Sequence, residues 1–559
     1  MSTPLLVDEV SDAIDAAAAT LFAAQRPDGV FDYGAPASTL GTVGAVGALH
    51  FGDPEGSADL IARGATWLAR TQGEDGGWSM VPGQASETGP TALATAVLHL
   101  VAPRTAADRV RAGREWTRRH GGPEAIPNPE VVDWCRRFSA YAGWLDPRDM
   151  RRLPIELTLL PVLYRRLFDL RMPTVSASAL AEARHRPPTG FRRLPARWAG
   201  PRALSVVRQV YEHEGGTGSW CEDTWVTGLI VTGLARAEMG RDMVEGAVRW
   251  LRAQENTDEQ GVPEGSWSTG PSDLTSSVYA TRGLLAAGYG DEPRLKPVKA
   301  LLLKLQRHEP FAAFGSPPGF WGRPGSRGRP GTLGTGEAVS VLVRLPGTDQ
   351  ADAVRRGVTW LTLQQDSRGS WGSCVRNTRV ADSGPCPHLT AKALDALLDS
   401  GVPADDRRVR RGLRWLAKAQ RPEGSYESVW FRMHTAGTSA VLQTFARVGL
   451  ADAPAAVRAR RWLERTRRDD GSWSTGDPAD AGTVEETSWA LAGLLAAGAH
   501  PRELLPGVRW LLAARLPDGG WPAAPVNEYV RHVSRCRMPA LTQGLALRAL
   551  ARYRQESTR

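Results

Sequence analysis

No apolar stretch in this chain of 559 residues approaches the roughly 18 residues that a membrane-spanning helix requires, which argues against a spanning segment. Cysteine is scarce: Cys135, Cys221, Cys374, Cys386 and Cys536 are odd in number and widely scattered. That pattern excludes a disulfide framework and fits a reducing, cytoplasmic setting. The opening residues, MSTPLLVDEVSDAIDA, carry acids where a signal peptide carries bases followed by an apolar core, so no secretion signal is expected. Alternation of period two is nearly absent, which argues against a sheet protein. The net charge of +9 comes from arginines dispersed along the chain, with no basic stripe interleaved with aromatics. Nucleic acid is therefore not an expected partner. Tyrosine and phenylalanine are few, at 9 and 11, yet tryptophan reaches 20.

The tryptophans are organised. A cassette recurs nine times, in which a helix ends near a Trp-Leu or similar pair, a Gln or Arg follows, and a Gly-rich turn closes on an aromatic residue. Clear copies are WLARTQGEDGGW (67–78), WLTLQQDSRGSW (360–371), WLAKAQRPEGSY (415–426), WLERTRRDDGSW (462–473) and WLLAARLPDGGW (510–521). Looser copies end at Phe31, Trp220, Trp267 and Trp321. The glycine permits a tight reversal at positive φ. The Gln is expected to bond the exposed N–H groups that open the next helix, with the Trp covering it.

Between the turns lie helical periods of two kinds. Residues 91–100, 227–235, 278–287, 391–398, 438–448 and 487–497 are apolar on most faces, which marks buried helices. Residues 355–363, 410–419 and 456–465 carry Arg along one face and belong outside. Alternating inner and outer helices predict an all-α fold of α/α toroids. Nine cassettes exceed one six-hairpin barrel, so two barrels are expected, as the chain length also suggests. Residues 121–205 interrupt the pattern with Pro-rich sequence and read as part of the first barrel or as the link. Within them LTLLPVLYRRLFDL (157–170) reads as a buried helix, with contact to a bilayer surface as the alternative.

The repeat resembles the QW motif of the squalene–hopene cyclase and class II terpene cyclase superfamily. Other stretches resemble the same family: CRRFSAYAGWLDPRDMRRLPIELTLLP (135–161), GSYESVWFRMHTAGTSAVL (424–442), TVEETSWALAGLLAAG (483–498) and EYVRHVSRCRMPALTQGLALRALARY (528–553). The resemblance implies a γβ didomain with an apolar cavity between the barrels. Residues 1–26 would complete the second barrel, 27–258 would form the first and 259–559 the second. The family's proton donor is the middle Asp of a DxDD motif opening an inner helix, and this chain has no DxDD. Counting back along GRPGTLGTGEAVSVLVRL (328–345) puts the acid position on Thr335, with Leu333 and Gly336 at the flanking sites. The histidine that supports the acid corresponds to Lys392, four residues after His388.

Because inner helices of a toroid share one orientation, their N-termini ring one mouth of the cavity. Carboxyls and histidines there are the candidate replacements: Asp273, Glu337, His388, His434, Glu485 and Glu486 in the second barrel, Glu222 and Asp223 in the first. Each has a plainer role available, as a cap or a helix-terminal charge. Arg323, Arg327 and Lys392 would serve a diphosphate. Trp225, Trp430, Trp489, Phe431 and Tyr529 would offer π faces to a cation. Cys386 and His388 supply too few ligands for a metal site, and no DDxxD motif is present. No cofactor is implied beyond Mg2+ accompanying a diphosphate.

These features predict an unconventional terpene cyclase acting on a linear polyprenyl diphosphate or prenylated metabolite, started by a relocated acid. The alternative is a non-catalytic prenyl- or lipid-binding protein that kept the cavity and lost the acid. A zinc prenyltransferase subunit would share the toroid, but the cysteine spacing lacks its metal set.

Overall fold

A computed structural model describes residues 3–270, 273–323, 328–474 and 481–559, with backbone alone at 3–5 and 323. The helices are α1 (Thr3–Ala23), α2 (Thr39–Gly52), α3 (Ala58–Arg70), α4 (Thr88–Val101), α5 (Ala107–Arg119), α6 (Pro129–Tyr141), α7 (Pro161–Phe168), α8 (Met172–His185), α9 (Arg193–His213), α10 (Thr224–Ala237) and α11 (Arg241–Ala253). They continue as α12 (Asp273–Ala287), α13 (Leu295–Leu305), α14 (Thr332–Leu342), α15 (Ala351–Gln364), α16 (Pro387–Asp399), α17 (Arg407–Lys418), α18 (Thr435–Arg447), α19 (Pro454–Arg465), α20 (Val484–Ala496), α21 (Pro501–Ala513) and α22 (Pro539–Ser557). Two short antiparallel pairs accompany them: β1 (Gly322–Arg323) with β2 (Arg329–Pro330), and β3 (Asn527–Val530) with β4 (Ser534–Cys536).

The chain is all-α and forms two α/α toroids. In the first, α2, α4, α6, α8 and α10 make the inner layer, and α10 closes against α2. In the second, contacts run from α12 through α14, α16, α18 and α20 to α22, which closes against α12. Helices α13, α15, α17, α19 and α21 lie outside, and α1 packs on α22, α12 and α21. The inner helices α2, α14 and α20 are buried almost throughout, whereas α17 buries only Val409, Gly412, Leu413 and Leu416. Apolar content on all faces thus selects the inner layer, and an Arg-bearing face selects the outer.

The cassette is the joint between layers. Its closing aromatic donates its backbone N–H to a threonine at the fourth position of an inner helix. Trp78, Trp220, Trp267, Trp321, Trp371, Tyr426 and Trp473 thereby hold Thr91, Thr227, Thr42, Thr335, Thr390, Thr438 and Thr487, at 2.8–3.1 Å. Trp521 uses Gln543 instead. The indole N–H returns to a carbonyl of the preceding outer helix, as from Trp371 to Leu361 at 2.8 Å. The Gln acts differently from expectation. Gln365 and Gln420 donate to carbonyls, one on the cassette glycine and one on the following outer segment. A Gly-rich turn leaves carbonyls, not amides, facing that side chain. The glycine itself is required: Gly369 has φ of +102°, and a Cβ there would sit 2.7 Å from the Arg411 carbonyl oxygen.

The cassette also fixes where the rings end. Trp267 holds Thr42, so residues 259–268 belong with the first ring, and the division expected at residue 258 falls inside a cassette. Gln25 bonds the Arg294 carbonyl and Gly29 abuts Pro297, so the cassette ending at Phe31 packs on the second ring.

Residues 121–205 supply α6 and α8 to the first ring. The segment expected as one buried helix is neither continuous nor uniformly buried. It forms a 3-10 turn (Ile155–Leu159) and the short α7, with Leu159, Leu160 and Val162 exposed. Pro161 starts a new helix there, which breaks any single apolar face. Beside it Phe191 and Trp198 are 91% and 69% exposed. No described helix is long and apolar enough to cross a membrane.

Candidate active site

A cavity of about 230 Å3 lies between the barrels. The first barrel contributes Glu130 and Trp134 of α6, Arg171, and Asp223, Trp225 and Leu229 at the head of α10. The second contributes Arg329, Gly331 and Leu333 at the head of α14, Trp430, and Asn527, Glu528 and Tyr529 of β3. A larger surface groove of about 840 Å3 shares Glu130, Trp134 and Arg171 with it and opens beside Phe191.

Asp223 is reached by a strained turn. Cys221 and Glu222 both have positive φ, at 62° and 54°. The Cys221 N–H bonds Glu214, whose carboxyl burial pushes up to about 7. Asp223 then caps α10 by accepting the Val226 N–H at Oδ1, while Tyr529 donates to Oδ2 at 2.6 Å. Burial pushes Asp223 upward against those bonds. Trp225, Trp430 and Tyr529 all border this cavity.

The anchor threonine sets a common register along the inner helices. Thr335 is not a vacant acid position. Its hydroxyl accepts the Trp321 N–H, as every sister threonine does for its own cassette. The residue that lines the cavity on α14 is Leu333, two positions earlier. The same offset gives Trp225 on α10, which also lines the cavity. It gives His388 on α16, Ala436 on α18 and Glu485 on α20. Of these, only Glu485 bears a carboxyl.

Glu485 is fully buried, and burial pushes its carboxyl up to about 7. Oε1 accepts from the Ala524 N–H at 3.0 Å and from the Thr542 hydroxyl, leaving Oε2 without a partner. One turn on, Trp489 lies in an apolar cluster with Tyr279, Phe431, Met538, Leu541 and Leu545. The Phe431 ring centroid is 4.8 Å from Trp489 and 6.4 Å from Tyr279. Trp430 packs against this cluster and also lines the inter-barrel cavity.

The other candidates are placed elsewhere. Glu337 points into the second barrel and is ion-paired with Arg282 and, at 3.1 Å, with Lys392, all buried. Its carboxyl faces two basic side chains and not the inter-barrel cavity. Lys392 is thereby engaged inside the barrel, not at the mouth. Glu486 pairs with Arg432 at 2.8 Å. Asp273 is partly buried among Arg26, Asp32 and Glu222 and borders no cavity described above; burial pushes it up. His388 meets Ser428 at 3.0 Å and the edge of Phe431, and burial with nearby Lys392 and Arg282 holds it neutral. His434 lies near Trp462, at 6.4 Å between centroids. The Arg323 side chain and Arg327 lie outside the described residues. Among the described residues no three His, Cys, Asp or Glu side chains converge on a metal site.

Sequence reasoning missed Arg329, Glu214 and Tyr279. Arg329 stands in the same loop as Arg323 and Arg327, but nothing in the string distinguishes it from them. Its position in β2, against the first barrel, does.

Comparison with known proteins adds a family. Residues 14–169 match the squalene-hopene cyclase N-terminal domain, and residues 377–555 match the squalene-hopene cyclase C-terminal domain. The squalene–hopene cyclase of Bradyrhizobium diazoefficiens is 29% identical over 235 residues, 37% of this chain and 36% of that one. The matched part therefore spans about a third of that relative. The labda-7,13-dienyl diphosphate synthase of Streptomyces clavuligerus is 37% identical over 112 residues, 20% of each chain. Among solved structures, ent-copalyl diphosphate synthase from Streptomyces platensis superposes with a TM-score of 0.55 at 19% identity, covering 97% of this chain and 99% of that one, which shows a shared fold.

Proposed function

Since the chain belongs to the class II terpene cyclase superfamily of the squalene–hopene cyclases, we propose that it cyclises a linear polyprenyl substrate, a diphosphate or prenylated metabolite, with Glu485 as the relocated proton donor. One observation carries the reading: among the described carboxyls Glu485 combines a pKa pushed up to about 7 with a free Oε2, one turn before Trp489 of the aromatic cluster. The chemistry follows. The Oε2 proton passes to a tail alkene, a C–H bond forms, and the cation appears on the neighbouring carbon. Ring closure moves that charge along the chain, and loss of one proton ends the sequence with no net change in atoms. The bonds from Ala524 and Thr542 strengthen as Glu485 becomes an anion. Tyr279, Phe431 and Trp489 present π faces where water is absent.

The space between the barrels, at about 230 Å3, is smaller than the roughly 300–1,000 Å3 usual for ligand pockets. A tail that reaches Glu485 must therefore open the packed cluster behind Trp430 in this scheme. Entry is through the neighbouring groove, and its exposed Phe191, with the exposed Trp198 of α9, supports contact with a bilayer surface. Magnesium enters only as the counter-ion of a diphosphate.

The test is incubation with farnesyl diphosphate, geranylgeranyl diphosphate and squalene in D2O, with products separated by gas chromatography and mass spectrometry. A cyclic product carrying one deuterium is expected. Tight prenyl binding with no product under any condition favours the non-catalytic alternative and overturns the cyclase reading.

A further inference from the structure

Where α14 begins, the cavity presents hydrogen-bond donors that no described residue accepts. Arg329 is 7% exposed and lines the cavity. Its Nη1 donates to the Leu170 carbonyl, which pins the side chain, while Nε and Nη2 have no partner. Two residues on, α14 opens at Gly331 with no side-chain cap. The Thr332 N–H goes to the Ser373 carbonyl, and the next two amides, of Leu333 and Gly334, bond no described residue. Gly331 and Leu333 border the same cavity. Orphaned buried donors are costly, and a guanidinium edge beside a helix N-terminus fits one complement: a planar or tetrahedral anion.

We propose that the head of α14, with Arg329, is a receptor for an anionic oxygen group, a diphosphate or a carboxylate, on the ligand that fills the cavity. The carboxylates around it leave the receptor open. Glu130 and Asp382 are spent on Arg171, and Glu528 lies beside His532 and Arg535. Glu214 and Asp223 are near Arg329 but form no ion pair with it, and burial pushes both upward. The site lies at the helix head where the superfamily's acid motif would stand, so the chain has put an anion receptor in the place of a proton donor. That the group is the substrate's head rests on the cyclase reading; binding of the anion does not.

Calorimetric titration of the full chain with farnesyl diphosphate, farnesoate and farnesol tests the site without turnover. At least one anion is expected to bind roughly tenfold or more tightly than farnesol, the effect of one charge-assisted bond. Preference for farnesyl diphosphate assigns a diphosphate, and preference for farnesoate a carboxylate. Arg329→Gln should erase the preference, and Arg329→Lys should restore part of it. Leu333→Asp, which sets a carboxylate among the free amides, should erase it with Arg329 intact and serves should Arg329→Gln fail to fold. Equal binding of all three ligands, or anion affinity unchanged in both Arg329→Gln and Leu333→Asp, overturns the proposal. Anion binding with no cyclic product overturns the cyclase reading and leaves the receptor standing.

Discussion

Helices α14 and α20 of the second barrel are built alike and end in opposite chemistry. Each is an inner helix, each is held by a cassette tryptophan through a threonine, Thr335 or Thr487, and each carries a different residue two positions before that threonine. On α14 that residue is Leu333, beside free amides and Arg329. On α20 it is Glu485, pushed up to about 7 with one free oxygen. Two residues beyond the threonine the roles reverse: α14 carries the ion-paired Glu337 and α20 carries Trp489. A carboxyl on an inner helix thus keeps a free oxygen or is spent on an ion pair according to its layer, and the layer is set by its distance from the anchor.

The comparison can be broken most directly at Glu485. Glu485→Gln keeps the shape and removes the proton; product formation should fall about 10²- to 10⁴-fold, the usual contribution of a general acid. Turnover near the wild-type rate would remove α20 from the chemistry. Glu337→Ala asks the opposite of α14. It strands Arg282 and Lys392 without their partner, and urea unfolding should show a loss of about 3–5 kcal/mol, with activity per folded molecule retained. Thr335→Ala and Thr487→Ala test the shared joint. Each leaves a buried tryptophan N–H unsatisfied and should cost about 1–3 kcal/mol, by closely similar amounts. A large disparity would mean that the two anchors are not equivalent.

The smallest effect is in the pH dependence. Burial pushes Glu87, Asp169, Glu214 and Glu485 up to about 7. Their folded values exceed the ordinary carboxyl values, so the native state binds more protons in between. Their contribution is full below about pH 4 and is lost as pH rises through about 7. Thermal melts should therefore show stability falling across that window. Glu485→Gln should flatten the slope.

Much of this was legible in the residues. The nine cassettes, the apolar inner helices and the Arg-faced outer ones each reflect contacts within one turn or one hairpin, so periodicity reports them. The acid position was legible only to within a turn. Counting from the apolar helix gave Thr335, because a buried threonine and a cavity-facing residue look alike in a string. The hydrogen bond from Trp321 separates them. Glu337, Lys392 and Arg282 come from three helices, and no local pattern records that they meet. Trp225, Trp430 and Tyr529 were read from the sequence as facing substrate, and all border the cavity, since an aromatic at an inner-helix head or on the closing hairpin has few other places to go.

The sequence by itself determined the toroids, because a helix apolar all round must be covered and a glycine at positive φ must turn, whatever lies far away. The tertiary structure alone decided which charges meet. Arg329 is left open and Glu337 is neutralised because their neighbours arrive from distant parts of the chain. In a buried site, the presence or absence of one such neighbour determines whether a side chain holds an anion, gives up a proton or only balances a charge.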